Sequence, residues 1–385
     1  MTGDIGLGEA VSLLLMAAAL AGCLYQIAAT HLTRRFMARP VRPAARRPAV
    51  SVMKPLCGAE PGMAANLASC LDQDYPDFQL VFGVADPADP ALAEVAALPR
   101  DRAAIDVVVE SRAHGRNLKV GNLLNMWPHV RHDLVVIADS DIRVGRDYLD
   151  QVAAGFDDPG VGVVTCLYIG RPQDDVWSRL GALGINHGFL PSAVLARAIG
   201  RKDGCFGATM AVRRDVLERA GGLPRLADVL ADDWVLGDMV RRQGLAIQLA
   251  ARPVDIMVHE PGVKALLAHE IRWGRTIAAV DRPSYLASVV TQPVALALLA
   301  ALAGGAWTPS LAVLGLAGLV RLWAVRSQER ALNLPAAGVG LLALREILSL
   351  IVYVVASCGR TVIWRGRRFV VQRDGTLVLA EGSTP

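Results

Sequence analysis

The sequence has no C-x-x-C pair; its six cysteines (Cys23, Cys57, Cys70, Cys166, Cys205 and Cys358) are scattered. That excludes a zinc-ribbon type of site and a disulfide framework, and free thiols suit a reducing compartment. Aromatic residues are scarce, 5% of 385 residues, although 53% of the chain is hydrophobic and the mean hydropathy is +0.37. This pairing points to a soluble body joined to membrane spans. A large excess of one charge is also missing, since 40 Lys and Arg against 36 Asp and Glu leave only +4. The basic residues gather at the ends of apolar runs, where anionic lipid accounts for them, so nucleic acid is not an expected partner. Finally, no G-x-G-x-x-G follows the first predicted strand, which removes the dinucleotide fingerprint.

What is present begins with an uncharged run. After Glu9 there is no Asp, Glu, Lys or Arg until Arg34, and Val11 to Ala29 is almost wholly apolar, about the length a bilayer core requires. Arg34, Arg35, Arg39, Arg42, Arg46 and Arg47 follow at once. Excess Lys and Arg marks the cytoplasmic side, and a cleaved signal peptide would carry its charge ahead of the run. Residues 1–33 therefore read as an anchor with its N-terminus outside. Residues 34–48, with three prolines, read as a stiff basic linker.

The C-terminal region 286–357 holds three more apolar stretches, 286–305, about 308–325 and 337–357, and a basic tail covers 358–385. Arg321 lies in the second stretch, Arg345 and Glu346 in the third. Charges inside a span face protein or water, and sequence neighbours do not share a helix face. With body and tail both inside, the crossings must be even in number. One stretch, 337–357 by preference, is expected to be re-entrant or to lie at the interface.

Between anchor and spans, residues 49–260 alternate β-branched runs with helical stretches. Strands are expected at 49–53, 78–85, 105–110, 134–138, 161–169 and 210–212, and helices at 62–72, 118–127, 174–190 and 231–242. This alternation predicts an α/β body with a mostly parallel, Rossmann-like sheet. An amphipathic interfacial segment, 261–285, follows it.

Strand 134–138 runs straight into Asp139-Ser140-Asp141. Ligands of open α/β sheets bind outside the carboxyl ends of the strands. Two carboxylates there suit a hard divalent cation, Mg²⁺ or Mn²⁺, able to bridge them to a diphosphate; the bland alternative is a solvated acidic turn. Asp86 and Asp89 follow the second strand, and Asp232 and Asp233 open a helix, where the helix dipole alone would favour acidic residues. Lys54 and Lys119 are phosphate candidates or solvated lysines. His187 and His259 are ligand contacts or structural histidines. Arg272-Trp273 precedes the first C-terminal stretch, where an interfacial anchor is the plain reading.

Taken together these stations resemble the ceramide glucosyltransferase family, a membrane-bound branch of the inverting GT-A glycosyltransferases with three aspartate stations and a (Q/R)-x-x-R-W motif. Asp89, with Asp86 close by, matches the first station. Asp139, with Asp141 completing D-x-D, matches the second, and Asp233 the third. His269-Glu270-Ile271-Arg272-Trp273 matches the last, with His269 where Gln or Arg is expected. The runs Gly181 to Ser192, Asp203 to Thr209, Val258 to Pro261 and Trp364 to Arg368 also resemble the bacterial hopanoid-biosynthesis glycosyltransferases, over nearly the whole chain.

The resemblance implies a cytosolic GT-A domain at the bacterial inner membrane and transfer of N-acetylglucosamine from UDP-GlcNAc to a hydroxyl of a membrane lipid, the hopanoid bacteriohopanetetrol. It implies a divalent cation on Asp139 and Asp141, with Lys54, Asp86, Asp89, Lys119, Asp139, Arg272 and Trp273 on the donor side. His187, His259 and His269 fall on the acceptor side. Asp233 becomes the general base; a helix N-terminus and a nearby cation would lower its pKa, burial would raise it. Three readings stay open beside this one: a UDP-glucose-dependent ceramide or diacylglycerol glucosyltransferase, a processive polysaccharide synthase, and a non-catalytic membrane scaffold.

Overall fold

The computed structural model describes residues 6–173, 175–304, 307–364 and 367–380. Helix α1 (Leu7–Met37) leads through the proline-rich linker into β1 (Val50–Pro55), α2 (Met63–Leu71), β2 (Phe78–Val84), α3 (Ala91–Ala96), β3 (Ala104–Val109), α4 (Leu118–Met126) and β4 (Leu134–Ala138). Then come β5 (Ile142–Arg143), α5 (Tyr148–Ala154), β6 (Val161–Thr165), β7 (Tyr168–Pro172), α6 (Val176–Gly184), α7 (Leu190–Ala198), β8 (Thr209–Arg213), α8 (Arg214–Arg219), α9 (Asp232–Arg241), β9 (Ala246–Leu249) and β10 (Val254–Val258).

The main sheet has the order β3-β2-β1-β4-β8-β6-β9. Neighbours among β3, β2, β1 and β4 are parallel, as are β6 and β9, and only β8 runs antiparallel to its neighbours. The expected parallel-rich α/β body is therefore present. Strands β2 and β4 are buried along their whole length because helices cover both faces, which is why they read as continuous apolar runs. Successive β4 residues feed opposite cores: Leu134, Val136 and Ala138 one layer, Val135 and Ile137 the other.

Two boundaries differ from the sequence expectation. The run 161–169 is two strands: β6 stays in the main sheet, while β7 joins a second sheet ordered β5-β10-β7. The run is apolar apart from Thr165, which is β-branched and at home in a strand, so it carries no signal for a change of sheet. The helix expected at 174–190 continues instead through a π-turn (Ile185–Phe189) into α7. Asn186 in that turn accepts from Gly170 N at 2.8 Å and donates to Gly170 O at 2.9 Å. Its amide thus acts as a strand partner for β7. A Cβ on Gly170 would lie 2.9 Å from Ala182 Cα, so helix and strand approach this closely only at a glycine.

The C-terminal region comprises α10 (Val263–Val280), α11 (Arg282–Ala287), α12 (Pro293–Leu302), α13 (Trp307–Ala331) and α14 (Val339–Ser357). Three described helices are long and apolar enough to cross a membrane, Leu7–Met37, Thr308–Ala331 and Val339–Ser357. The stretch expected as one run at 286–305 is bent: Arg282–Thr291 and Pro293–Leu302 meet at 76°. Gln292 precedes a proline, which pushes it out of the helical region, here to φ −114° and ψ 60°. Helices α1, α12 and α13 pack closely through small residues; Ser12 Oγ donates to Ala300 O at 2.9 Å and lies 3.2 Å from Ser310 Oγ.

Arg345 and Glu346 do turn to different partners. Arg345 forks onto Glu270 of α10, at 2.5 and 2.8 Å, and Glu346 accepts from Arg321 Nε of α13 at 2.8 Å. The tail is more than a basic flank. Strands β11 (Thr361–Trp364), β12 (Arg367–Val371) and β13 (Leu377–Leu379) form an antiparallel sheet that docks on the body. Leu230 N donates to Gly375 O at 2.9 Å and Leu377 N to Asp228 O at 2.8 Å, over a core of Leu230, Val362, Phe369, Val371 and Leu377.

The Arg345 and Glu270 side chains are only 5% and 12% exposed. Replacing one partner of such a pair leaves an uncompensated buried charge, at about 3–5 kcal/mol. Arg345→Met alone is therefore expected to lower the melting temperature of detergent-purified protein sharply, and Arg345→Met with Glu270→Met to recover most of the loss. Additive losses would mean that the pair is not energetically coupled.

Candidate functional site

The site is assembled at the carboxyl ends of β1, β2 and β4. β4 lies beside β1, so Lys54 at the end of β1 reaches under the turn that follows β4. Its side chain is fully buried, and Nζ donates to Asp139 O at 2.7 Å. Asp139 N donates to Ala208 O at 3.2 Å, which fastens the other side of the turn. Lys54 thus holds the backbone of the D-x-D turn.

Lys119 stands in the first turn of α4. Asn117 caps that helix, accepting from Val120 N at 3.1 Å while donating to Val229 O at 2.6 Å. The Lys119 ammonium lies 2.7 Å from Asp139 Oδ1 and 3.5 Å from Asp232 Oδ2. Burial alone would depress it, but Asp139 and Asp232 outweigh burial and hold it above the usual lysine range. One cation thereby couples the end of β4 to the start of α9.

Asp141 has no such partner. Its Oδ1 is buried without a hydrogen bond. Burial, then the charges of Asp139 and Glu60, push its carboxyl up to about 7. Asp233 accepts from Gly207 N at 3.1 Å and from Trp234 N at 2.7 Å. Burial, and then neighbouring Asp232, push it up to about 7 against the pull of those bonds and of Lys119. Between helix dipole and burial, burial prevails.

Asp89 sits on the neighbouring loop after β2. Its carboxylate accepts from Gly58 N at 3.0 and 2.9 Å and from Ala91 N at 2.9 Å, so it ties the loop after β1 to the loop after β2. Asp86 is exposed and accepts from Ala88 N at 2.8 Å.

The fourth wall is α10. A cavity of about 90 Å³ is lined by Glu60, Asp141, His259, Glu260, His269 and Trp273, among others. His269 Nδ1 lies 2.8 Å from Glu260 Oε1, and its ring packs on Trp273 at 4.2 Å between centroids. The Arg272 guanidinium makes no hydrogen bond to a described residue. Burial lowers its pKa, partly countered by Glu260 and Asp232. His259 is exposed at the cavity. His187 lies elsewhere: its ring is 3% exposed behind the π-turn, with Nδ1 2.9 Å from Gln328 Oε1. Burial and Arg321 push it down to about 3, so the ring is neutral.

Sequence reasoning passed over Tyr168, Glu60 and Glu260. Tyr168 stacks on Phe189 at 4.5 Å, and its hydroxyl is held protonated by burial and by the fields of Asp233, Asp139 and Asp141. It reads as one more apolar residue in a buried run. Glu260 stands inside the Val258 to Pro261 run, yet no spacing rule marks it.

The carboxylates fit a divalent cation. Asp141 offers a buried, unpartnered oxygen beside Asp139. Among the described residues no group of three or more His, Cys, Asp or Glu converges as a closed metal cage. An open carboxylate pair suits a hard cation that shares its other positions with water and phosphate oxygens.

Comparison with known proteins extends this picture. The chain is similar to "Mannosyltransferase PcManGT from Pyrobaculum calidifontis in complex with GDP-Man and Mn2+", with a TM-score of 0.52, 24% identity, and coverage of 91% of this chain and 98% of that one. That likeness shows the GT-A fold. Ceramide glucosyltransferase 1 of Caenorhabditis elegans is 24% identical over 247 residues, 61% of this chain and 52% of that protein. The ceramide glucosyltransferase of Komagataella phaffii is 32% identical over 101 residues, 25% of this chain and 20% of that protein. The chain thus spans about half the length of the first relative and a fifth of the second. Residues 14–377, nearly the whole chain and every site residue above, match one family. The chain belongs to glycosyl transferase family 21.

Proposed function

We propose that this chain is an inverting, metal-dependent glycosyltransferase of the bacterial inner membrane. In this reading it moves N-acetylglucosamine from UDP-GlcNAc onto a hydroxyl of a hopanoid lipid, bacteriohopanetetrol. The observation that carries the chemistry is Asp233, a half-buried carboxyl that accepts from Gly207 N and Trp234 N and is raised to about 7, across Lys119 from Asp139. A general base works best when its pKa lies near the operating pH. The lipid class is supported by family membership and by relatives named ceramide glucosyltransferases. The donor sugar and the hopanoid are supported by the resemblance of the runs at 181–192, 203–209, 258–261 and 364–368. The ceramide glucosyltransferase relatives favour a second reading, glucose from UDP-glucose onto ceramide or diacylglycerol.

In the mechanism, the acceptor hydroxyl enters past His259 and His269 and attacks the anomeric carbon from the face opposite UDP. Its proton passes to Asp233, the C–O bond to UDP breaks, and an α-linked donor yields a β-glycoside. Asp139 and Asp141 would hold a Mg²⁺ or Mn²⁺ ion, which when bound offsets the charge that develops on the diphosphate. The uncommitted Arg272 guanidinium is free to meet the same diphosphate, with Trp273 beside it. Lys54 and Lys119 hold the D-x-D turn in register for the donor, and Asp86 and Asp89 do so for the loop on its nucleotide side.

The membrane arrangement follows from α14. Ahead of it, Arg171 of the body donates to Asn333 O at 3.2 Å. Behind it, the tail sheet pairs with Leu230. Both ends of α14 are on the body side, so in this reading it lies along the cytoplasmic leaflet, and α1, α13 and the bent pair Arg282–Thr291 with Pro293–Leu302 provide the crossings.

Mass spectrometry of lipids after incubation with UDP-GlcNAc or UDP-glucose and Mg²⁺ tests the assignment, with bacteriohopanetetrol, ceramide and diacylglycerol as acceptors. An N-acetylhexosamine adduct on the hopanoid is expected. A hexose on ceramide or diacylglycerol would replace donor and acceptor while keeping the mechanism. Asp233→Asn should cost about 10²–10⁴-fold in rate; near-wild-type turnover would remove Asp233 as base.

The pH dependence has a definite sign. Protonated Asp233 accepts no proton, so kcat/KM should rise with pH through about 7 and level off above it. A profile flat from pH 5.5 to 8.5 would contradict a carboxyl raised by burial. For the cation, electron paramagnetic resonance of Mn²⁺ with UDP should show one bound ion per chain, and Asp141→Asn should weaken it more than tenfold. Unchanged binding would move the ion elsewhere.

A further inference from the structure

Tyr168 opens β7, just past the point where the chain leaves the main sheet. Its backbone pairs with Val254 of β10, and its ring packs against two apolar clusters. One includes Ala138 and Ala208, which flank the D-x-D turn where Asp139 N donates to Ala208 O. The other includes Ile185 and Val258, with Trp273 packed against it; all three line the cavity beside Asp141. Phe189 fixes the plane of the ring: the two stack at 4.5 Å and 16°, and Phe206 meets Phe189 edge-on at 5.3 Å. Phe206 precedes Gly207, whose N–H donates to Asp233. Tyr168 is thus packed against the neighbours of the D-x-D turn and tied, through two phenylalanines, to the loop that holds Asp233.

The ring is half-buried, and its hydroxyl is uncommitted. The hydroxyl makes no hydrogen bond to a described residue and is not one of the oxygens sealed off without a partner, so it opens on space that a ligand or water can reach. Burial and the fields of Asp233, Asp139 and Asp141 keep it protonated, and a protonated phenol donates. The lysines at the same carboxylates are already engaged, Lys54 with Asp139 O and Lys119 with Asp139 and Asp232. Ionised carboxylates only accept. A sugar carries oxygens that need donors as well as hydroxyls that need acceptors, and a neutral phenol supplies a donor without adding charge.

In the proposed transfer the leaving diphosphate is at Asp139 and Asp141 and the attacking hydroxyl at Asp233. The sugar lies between them, and Tyr168 is packed against the elements that carry both. We infer that the Tyr168 hydroxyl binds the transferred sugar of the nucleotide donor, donating a hydrogen bond to one of its oxygens. The inference rests on the transfer reading for the place of the sugar; it gives Tyr168 no part in holding the nucleotide or the metal.

Calorimetry tests it on the full chain in detergent, titrated with UDP, UDP-GlcNAc and UDP-glucose in Mn²⁺ and without a lipid acceptor. Tyr168→Phe removes only the hydroxyl and keeps the ring on Phe189, so the melting temperature should not change. The variant is expected to weaken the UDP-sugar about three- to tenfold, the range of one neutral hydrogen bond, and to leave UDP unchanged. In the transfer assay its kcat/KM should fall by at least as much, with the midpoint of the pH profile unmoved. Equal loss for UDP and UDP-sugar, no loss for either, or a lowered melting temperature in place of a selective loss would overturn the inference. The two readings fail separately. Selective loss of UDP-sugar affinity in a chain that transfers to no acceptor would sink the transfer reading and keep this contact, whereas transfer with unchanged affinities would do the reverse. A chain that binds neither nucleotide would overturn both.

Discussion

The Lys119 ammonium is the constraint on which the site depends. It is held 2.7 Å from Asp139 and 3.5 Å from Asp232, with its own helix start fixed by Asn117. Three elements far apart in sequence meet at this one charge: the D-x-D turn, the start of α4 and the start of α9. Without it, two acidic termini would face each other in a partly buried space. With it, Asp139 and Asp232 are partnered while Asp141 and Asp233 are left as the groups whose ionisation burial makes costly. One cation thus pairs directly with Asp139 and Asp232, and burial raises the carboxyls of Asp141 and Asp233 beside them.

The same division of labour runs into the membrane region. Glu270 and Arg272 stand two residues apart on α10. Glu270 is committed to Arg345 of α14, whereas the Arg272 guanidinium has no described partner. The committed residue fastens α10 to α14, and the uncommitted one lies in the field of Glu260 and Asp232. The tail sheet closes the far side by bonding to the segment just ahead of α9, so the start of α9 is braced from both directions. Residues of the π-turn line two cavities, Ile185 the one with Glu60, Asp141 and Glu260, and His187 another with Arg321 and Glu346.

Much of this was legible before any fold was drawn. The alternation of β-branched runs with helical stretches marked the parallel sheet, because buried parallel strands have little choice but to be apolar throughout. Asp139, Asp141 and Asp233 announced themselves by standing where strands end and helices begin. The opposed directions of Arg345 and Glu346 followed from helix geometry alone. The apolar pattern also concealed things. It could not show that 161–169 changes sheets, that Tyr168 lies in the field of three carboxylates, or that residues after Ser357 form a docked sheet. A period of two or of 3.6 reports which face is buried, not what it is buried against.

The sequence by itself determined the element types, the membrane runs and the chemical identity of the acidic stations, since these depend on local period, local charge and residue type. Tertiary structure decided the ionisation of those stations. Asp233 has a helix N-terminus in its favour by sequence, but desolvation depends on everything packed around it, and that is set by residues tens to hundreds of positions away. It also decided which lysine pairs with which carboxylate, and that His187 faces Gln328 and the cavity beside Arg321 instead of the cavity beside Asp141. Each of these is a matter of distance in space, which sequence spacing does not encode.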